Sequence, residues 1–98
     1  MIQKTTMASG TKVKVTFELP ANGAASVSVV GDFNSWDKDA TLLKKHKKGG
    51  PFTGSINLPA GQKYQFRYWI DGTRWENDWA ADDYVPNGFG EDNSVLNT

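Results

Sequence analysis

Lys63 to Gly72 reads KYQFRYWIDG. Tyr64, Phe66, Tyr68 and Ile70 share one parity, and Gln65, Arg67 and Trp69 share the other. A period of two marks a half-buried strand, because successive side chains leave a strand on opposite faces. Asp71-Gly72 closes the stretch with a hairpin signal, since both residue types tolerate the positive φ of a tight turn. The aromatic parity is expected to face a core. The other parity sets an arginine and a tryptophan two positions apart on the outer side, which packing alone explains poorly.

The same period recurs on either side. Val13, Val15, Phe17 and Leu19 alternate with Lys12, Lys14, Thr16 and Glu18. Ser26 to Val30 places Val27 and Val29 inward, and Phe52 to Leu58 alternates Phe52, Gly54, Ile56 and Leu58. Thr41 to His46 reads as a strand or a single helical turn, and Ser94 to Asn97 as a last short strand. Pro20-Ala21-Asn22-Gly23, Gly49-Gly50-Pro51 and Pro59-Ala60-Gly61 punctuate these runs as turns. Short strands with turns between them and no sustained helical period predict an all-β, antiparallel β-sandwich. Its expected core holds Val15, Phe17, Val27, Val29, Leu43, Ile56, Leu58, Phe66 and Tyr68. Residues 1–10 are polar and aperiodic and are expected as a flexible tail before one domain spanning 11–98.

Ninety-eight residues suffice for one modest core. With no cysteine, neither a disulfide nor a thiolate metal site is available. Eleven basic and eleven acidic residues balance, so no global field draws the chain to nucleic acid or to a membrane. The N-terminal stretch has no apolar run long enough for a signal peptide or a span, and a cytoplasmic protein is expected. Four tryptophans exceed what so small a core needs.

Catalytic chemistry finds little support. Asp82-Asp83 and Glu91-Asp92 are sequence neighbours, which extended chain turns to opposite faces rather than into one cleft. His46 stands alone inside KKHKK, a poor metal ligand; the run is either a phosphate-binding patch or, more commonly, a solvated hairpin face. Asp32, Asn34 and Asp37 loosely resemble a calcium loop, but Trp36 occupies the place of the next oxygen ligand. No metal, cofactor or catalytic residue is expected.

Binding chemistry fits better. A sugar offers an apolar face of C–H groups and a rim of hydroxyls, so it suits an aromatic plane edged by amide and basic side chains. Trp36, Trp69, Trp75, Arg67, Asn34 and Asn93 supply those groups.

Three segments, VSVVGDFNSWD (27–37), LPAGQKYQFRYWIDGTRWEND (58–78) and VPNGFGEDNSV (85–95), occur in an order and spacing that resemble carbohydrate-binding module family 48. That family includes the N-terminal early-set domain of isoamylases and glycogen-branching enzymes, and the glycogen-binding domain of the AMP-activated protein kinase β subunit. The resemblance runs from about Lys12 to Asn97 and implies an immunoglobulin-like sandwich that binds α-1,4-glucans. It puts the glucose-stacking tryptophans at Trp36 and Trp75, the basic contact at Arg67, the asparagine at Asn93, and the apolar residue that enters a sugar ring at Phe89. Phe33 falls on an inward position. Thr73-Arg74 makes the turn before Trp75 one residue longer than in the kinase module.

Trp69 and Asn34 are possible additions to the platform. Trp69 either lengthens it or lies covered by the 73–92 segment, with Trp79 and Tyr84 as aromatic partners. In the hydrolases this module precedes a catalytic barrel of about 250 residues; the present chain is too short for one, so a free-standing, non-catalytic glucan-binding module is expected. A glucan-metabolising enzyme is a possible partner. The alternative is a partner-binding or scaffolding sandwich that lacks a sugar site.

Overall fold

The computed structural model describes residues 1–45 and 47–98; His46, and with it the reading of KKHKK, lies outside the described residues. The strands are β1 (Ile2–Thr6), β2 (Lys12–Leu19), β3 (Val27–Gly31), β4 (Lys44–Lys45), β5 (Phe52–Pro59), β6 (Lys63–Ile70), β7 (Arg74–Glu76), β8 (Asp83–Pro86) and β9 (Asp92–Asn97). One antiparallel sheet runs β1-β2-β5-β4 and the other β3-β6-β9-β8, with β7 also on β6. The helical structure among the described residues is one 3-10 turn at Asp32–Asn34. The protein is an all-β antiparallel sandwich, as the period-two pattern predicts.

Apolar parities of both sheets meet between the layers. Val13, Val15, Phe17, Leu19, Val27, Val29, Leu43, Phe52, Leu58, Phe66, Tyr68, Ile70 and Leu96 are buried together. Ile56 packs against this cluster but is only partly buried. Phe17 and Phe66 meet edge to face at 5.3 Å between centroids, and Phe66 meets Tyr68 at 5.8 Å. Such geometry sets the positive edge of one ring on the negative face of the next. The Leu42–Leu43 segment explains its mixed signal. Leu43 N–H donates to Val27 O of one sheet, while the following Lys44–Lys45 pairs with β5 of the other, so the chain changes sheets there.

The N-terminal segment departs from expectation. Ile2–Thr6 is an edge strand in register with Val13–Phe17, not a tail. It shows no alternation because four of its five residues are exposed, so pairing with β2 rather than burial holds it. Lys4 also donates to Asp82 across to the other sheet, and Asp82 accepts the Asn97 N–H. Partial burial raises the Asp82 carboxyl, but the Lys4 ammonium and the Asn97 N–H outweigh it and leave the group below the ordinary carboxylate range. A depressed carboxylate pKa gives stability that is present above the unfolded value and is lost as pH falls through the folded one. Lys4→Ala is therefore expected to move the acid-unfolding midpoint, followed by circular dichroism, to higher pH. An unchanged midpoint would mean that the pair does not hold β1.

Buried charge is confined to specific partners. Asp78 is fully buried, yet its carboxylate accepts from Tyr68 Oη (2.6 Å), Ala80 N–H (2.7 Å) and the Met1 ammonium (2.6 Å). Burial, and then the Asp78 charge, push the Tyr68 hydroxyl far above the usual phenol range, so it stays a donor.

Candidate functional site

The site is built on one edge of β6. Phe66 pairs with Gly31 on one side and Ser94 on the other, while Tyr68 pairs with Val29 and Glu76. Thus β3 lines one edge of β6, and β9 followed by β7 line the other. Arg67 falls where β9 ends and β7 begins. Its outward side chain emerges between the two short strands, with Trp75 on one flank and Asn93 on the other.

Trp36 reaches the same place through the turn after β3. Asn34 Oδ1 accepts the Gly31 N–H (3.1 Å), and Asn34 Nδ2 donates to Val29 O (3.0 Å) and Thr41 Oγ1 (3.1 Å). Gly31 is extended and is needed for room rather than conformation. A β-carbon there would lie 2.4 Å from Gln65 O and 2.7 Å from Phe66 Cβ. Ser35 and Trp36 both adopt φ 58°, a left-handed conformation that costs a non-glycine residue and concentrates at functional positions. The conformation swings the Trp36 indole outward over β6. Asp32 then fixes it: one carboxylate oxygen accepts Trp36 Nε1–H (3.0 Å) and the other accepts Gln65 N–H (2.7 Å). Phe33, one step away, turns inward and packs on Phe17 at 5.8 Å.

Trp36, Arg67, Trp75, Asn87, Phe89 and Asn93 line one cleft of about 230 Å³. Trp36 and Trp75 meet near right angles, 69° between planes and 6.5 Å between centroids, as floor and wall of a corner. Arg67 lies under the corner, its guanidinium carbon 5.8 Å from the Trp75 ring. It is 7% exposed, and Nη2 makes a long contact of 3.4 Å to Glu91. Its Nε is buried with no hydrogen-bond partner in the protein. An unpaired buried donor is costly, and this one lies beneath the cleft surface rather than on it.

The β8–β9 loop forms the opposite rim. Asn87 Oδ1 accepts the Phe89 N–H (2.9 Å), Asn87 Nδ2 donates to Asn93 Oδ1 (3.3 Å), and Asn93 Nδ2 donates to Gln65 Oε1 (3.0 Å). Gly88 and Gly90 both take positive φ, 83° and 84°, so the chain makes a narrow tip. Phe89 stands on that tip, 88% exposed.

All five residues that the resemblance places at a sugar contact thus share one cleft. The two possible additions do not line it. Asn34 spends its amide inside the turn. Trp69 lies beneath Trp75 at 4.5 Å between centroids, with Lys38 Nζ 4.1 Å over its ring. The cover for Trp69 comes from the 73–92 segment, but from Trp75 rather than from Trp79 or Tyr84. Trp79 is 67% exposed elsewhere, and Tyr84 Oη donates to Asp78 O (2.6 Å). Asn87 and Asp32 are the members that sequence reasoning missed. Asn87 sits in the quoted PNGFG, and Asp32 is four residues before the tryptophan it holds. The described residues contain no helix long and apolar enough to cross a membrane, and no group of three metal-ligating side chains.

An immunoglobulin-like sandwich with an open cleft of right-angled tryptophans, edged by arginine and amides, has the make-up of a surface that binds a flat, hydroxylated ligand. A family model, carbohydrate-binding module 48 (isoamylase N-terminal domain), matches residues 5–85, and the chain belongs to that family. It is 43% identical over 51 residues to the 1,4-alpha-glucan branching enzyme GlgB of Butyrivibrio fibrisolvens. That match covers 51% of this chain and 8% of the enzyme.

Proposed function

We propose that this module binds α-1,4-glucan chains in the cleft, without catalysing their reaction. The meeting of Trp36, Trp75, Arg67, Phe89 and Asn93 in one cleft is the observation that carries the reading. A glucose unit stacks its C–H face on Trp36, abuts Trp75, and offers ring and hydroxyl oxygens to Arg67 and Asn93. Phe89, at the tip of the opposite rim, closes on the glucan from above. Membership of a carbohydrate-binding family and likeness to part of a glucan-branching enzyme support the choice of polymer. The same reading has the module act free-standing, in the cytoplasm, beside enzymes that handle the glucan.

Affinity for single short oligosaccharides is expected to be weak. An open cleft immobilises a well-hydrated, flexible ligand for the return of one or two stacked rings. Polymers offer many overlapping sites and raise occupancy without new contacts. Co-sedimentation with insoluble starch, against cellulose as a control, tests the proposal. Retention on starch alone supports it. Equal release from both polymers rejects it in favour of a scaffolding sandwich without a sugar site.

Asp32 is a positioning residue in this scheme. Asp32→Asn replaces one acceptor oxygen by a donor, so it loses either the indole or the Gln65 N–H. One hydrogen bond contributes about 0.5–1.5 kcal/mol, and glucan affinity is expected to fall about two- to tenfold. Shifted Trp36 fluorescence should accompany the fall. Unaltered affinity with unaltered fluorescence would show that the carboxylate does not orient the ring.

A further inference from the structure

A second concave site lies outside the glucan cleft and shares no residue with it. Glu18, Pro20, Asn22, Pro51 and Trp79, with Met1, line a hollow of about 310 Å³. Trp79 is 67% exposed and stands at the wall of this hollow.

The ring stands on a fixed base. The preceding Asp78 is fully buried, and its carboxylate accepts from Tyr68 and Ala80. Its N–H donates to Ser94 Oγ (2.9 Å) and its carbonyl accepts from Tyr84 Oη (2.6 Å). Asn77 Nδ2 also donates to Asp92 O, and further on the Asp82 N–H donates to Val95 O, so the segment is tied to β9 before and after Trp79. Exposure of Trp79 is therefore a property of an ordered backbone.

The lining selects a ligand class. The exposed indole and the pyrrolidine rings of Pro20 and Pro51 are rigid apolar surfaces. The Glu18 carboxylate and the Asn22 amide make no side-chain hydrogen bond among the described residues, so they are open to hydroxyl groups. Glu18 is the one charged side chain of the lining, and the Met1 ammonium at its edge is already held by the Asp78 carboxylate and the Glu18 carbonyl, so the hollow keeps no unpaired cation for an anionic ligand such as a phosphate. A neutral, hydroxylated ligand with a flat apolar face meets all of these demands. Trp79 is four residues from Trp75, so their Cα atoms lie at most about 14 Å apart. One glucan strand, or two neighbouring strands of a branched polymer, can therefore reach both tryptophans.

We infer that Trp79, Asn22, Glu18 and the two prolines form a second α-glucan site, which lets one module grip a polymer at two points. The inference rests on the glucan reading of the first cleft. Two weak sites on one rigid body raise retention on a polymer well beyond either alone.

The test is maltoheptaose titration of the full chain by calorimetry and by indole N–H shifts in NMR, with glycogen co-sedimentation in parallel. Two sites give a stoichiometry of two, with Trp36→Ala retaining the Trp79 shift and Trp79→Ala retaining the Trp36 shift. Trp79→Ala also weakens glycogen retention about tenfold or more. Asn22→Gly, which suits the positive φ of 44° at that position, gives the same loss without touching the ring. A stoichiometry of one, abolished by Trp36→Ala and indifferent to both Trp79→Ala and Asn22→Gly, overturns the second site and leaves the first intact. No glucan binding by the wild-type chain overturns both.

Discussion

Trp36→Ala is expected to leave the protein folded and to lower its affinity for maltoheptaose about 5- to 150-fold. The range follows from the stacking of a flat ligand on a partly exposed aromatic ring, about 1–3 kcal/mol for each ring removed. Stability is spared because Trp36 lies outside the apolar layer between the sheets, on the far side of β6 from Phe66 and Tyr68. Alanine keeps the β-carbon, so the cost of φ 58° at this position is unchanged by the substitution. Titration calorimetry for affinity and thermal melting for stability separate the two effects. Unfolding of Trp36→Ala, beside a Phe33→Ala that stays folded, would reverse the roles given to Trp36 and Phe33.

Phe66→Ala is expected to have the opposite profile. Phe66 has no exposed surface, and its ring contacts those of Phe17, Tyr68 and Phe33. Truncating a buried phenylalanine costs about 3–5 kcal/mol from lost burial and the cavity left behind. A domain of this size has about 5–15 kcal/mol in all. Each kcal/mol lowers the melting temperature about 4–8 °C for 60–100 residues. A fall of about 12 °C or more is therefore expected by scanning calorimetry, and outright unfolding at room temperature is within range. Phe33→Ala should cost less, because Phe33 is only partly buried at the edge of the same cluster. A fall of less than about 4 °C in Phe66→Ala would show that this ring cluster is not the centre of the core.

The sandwich was legible because one physical signal, a period of two, runs through the sequences of β2, β3, β5 and β6, and along β2 it separates a buried face from a more exposed one. Where both faces see water, the signal vanishes. IQKTT has no apolar parity, and only backbone pairing with β2 makes it a strand. The short strands Arg74–Glu76 and Asp83–Pro86 were hidden in a polar segment for a related reason. Backbone pairing with β6 and β9 makes them strands, and side-chain bonds such as Asn77 to Asp92 O and Tyr84 to Asp78 O brace the chain between them. No local pattern records such bonds. The cleft was legible only in part. Strand parity put Arg67 and Trp69 on one outer face, but the gap between β7 and β9 that seats Arg67 at the cleft, and the pairing that sets Trp75 over Trp69, are matters of strand partnership. Asn34 has the right chemistry for a sugar contact, and the turn consumes it. The buried Asp78 looks like one more loop carboxylate until Tyr68 is seen to donate to it.

Tryptophan fluorescence during a maltoheptaose titration addresses the glucan cleft most directly, since Trp36 and Trp75 form its walls. A saturable change in emission with maltoheptaose, absent with a β-1,4-linked glucan of equal length and cut in Trp36→Ala to the part that Trp79 supplies, is the expected result. Emission that stays constant up to millimolar maltoheptaose, or that responds equally to the β-linked chain, would contradict α-glucan recognition by this cleft.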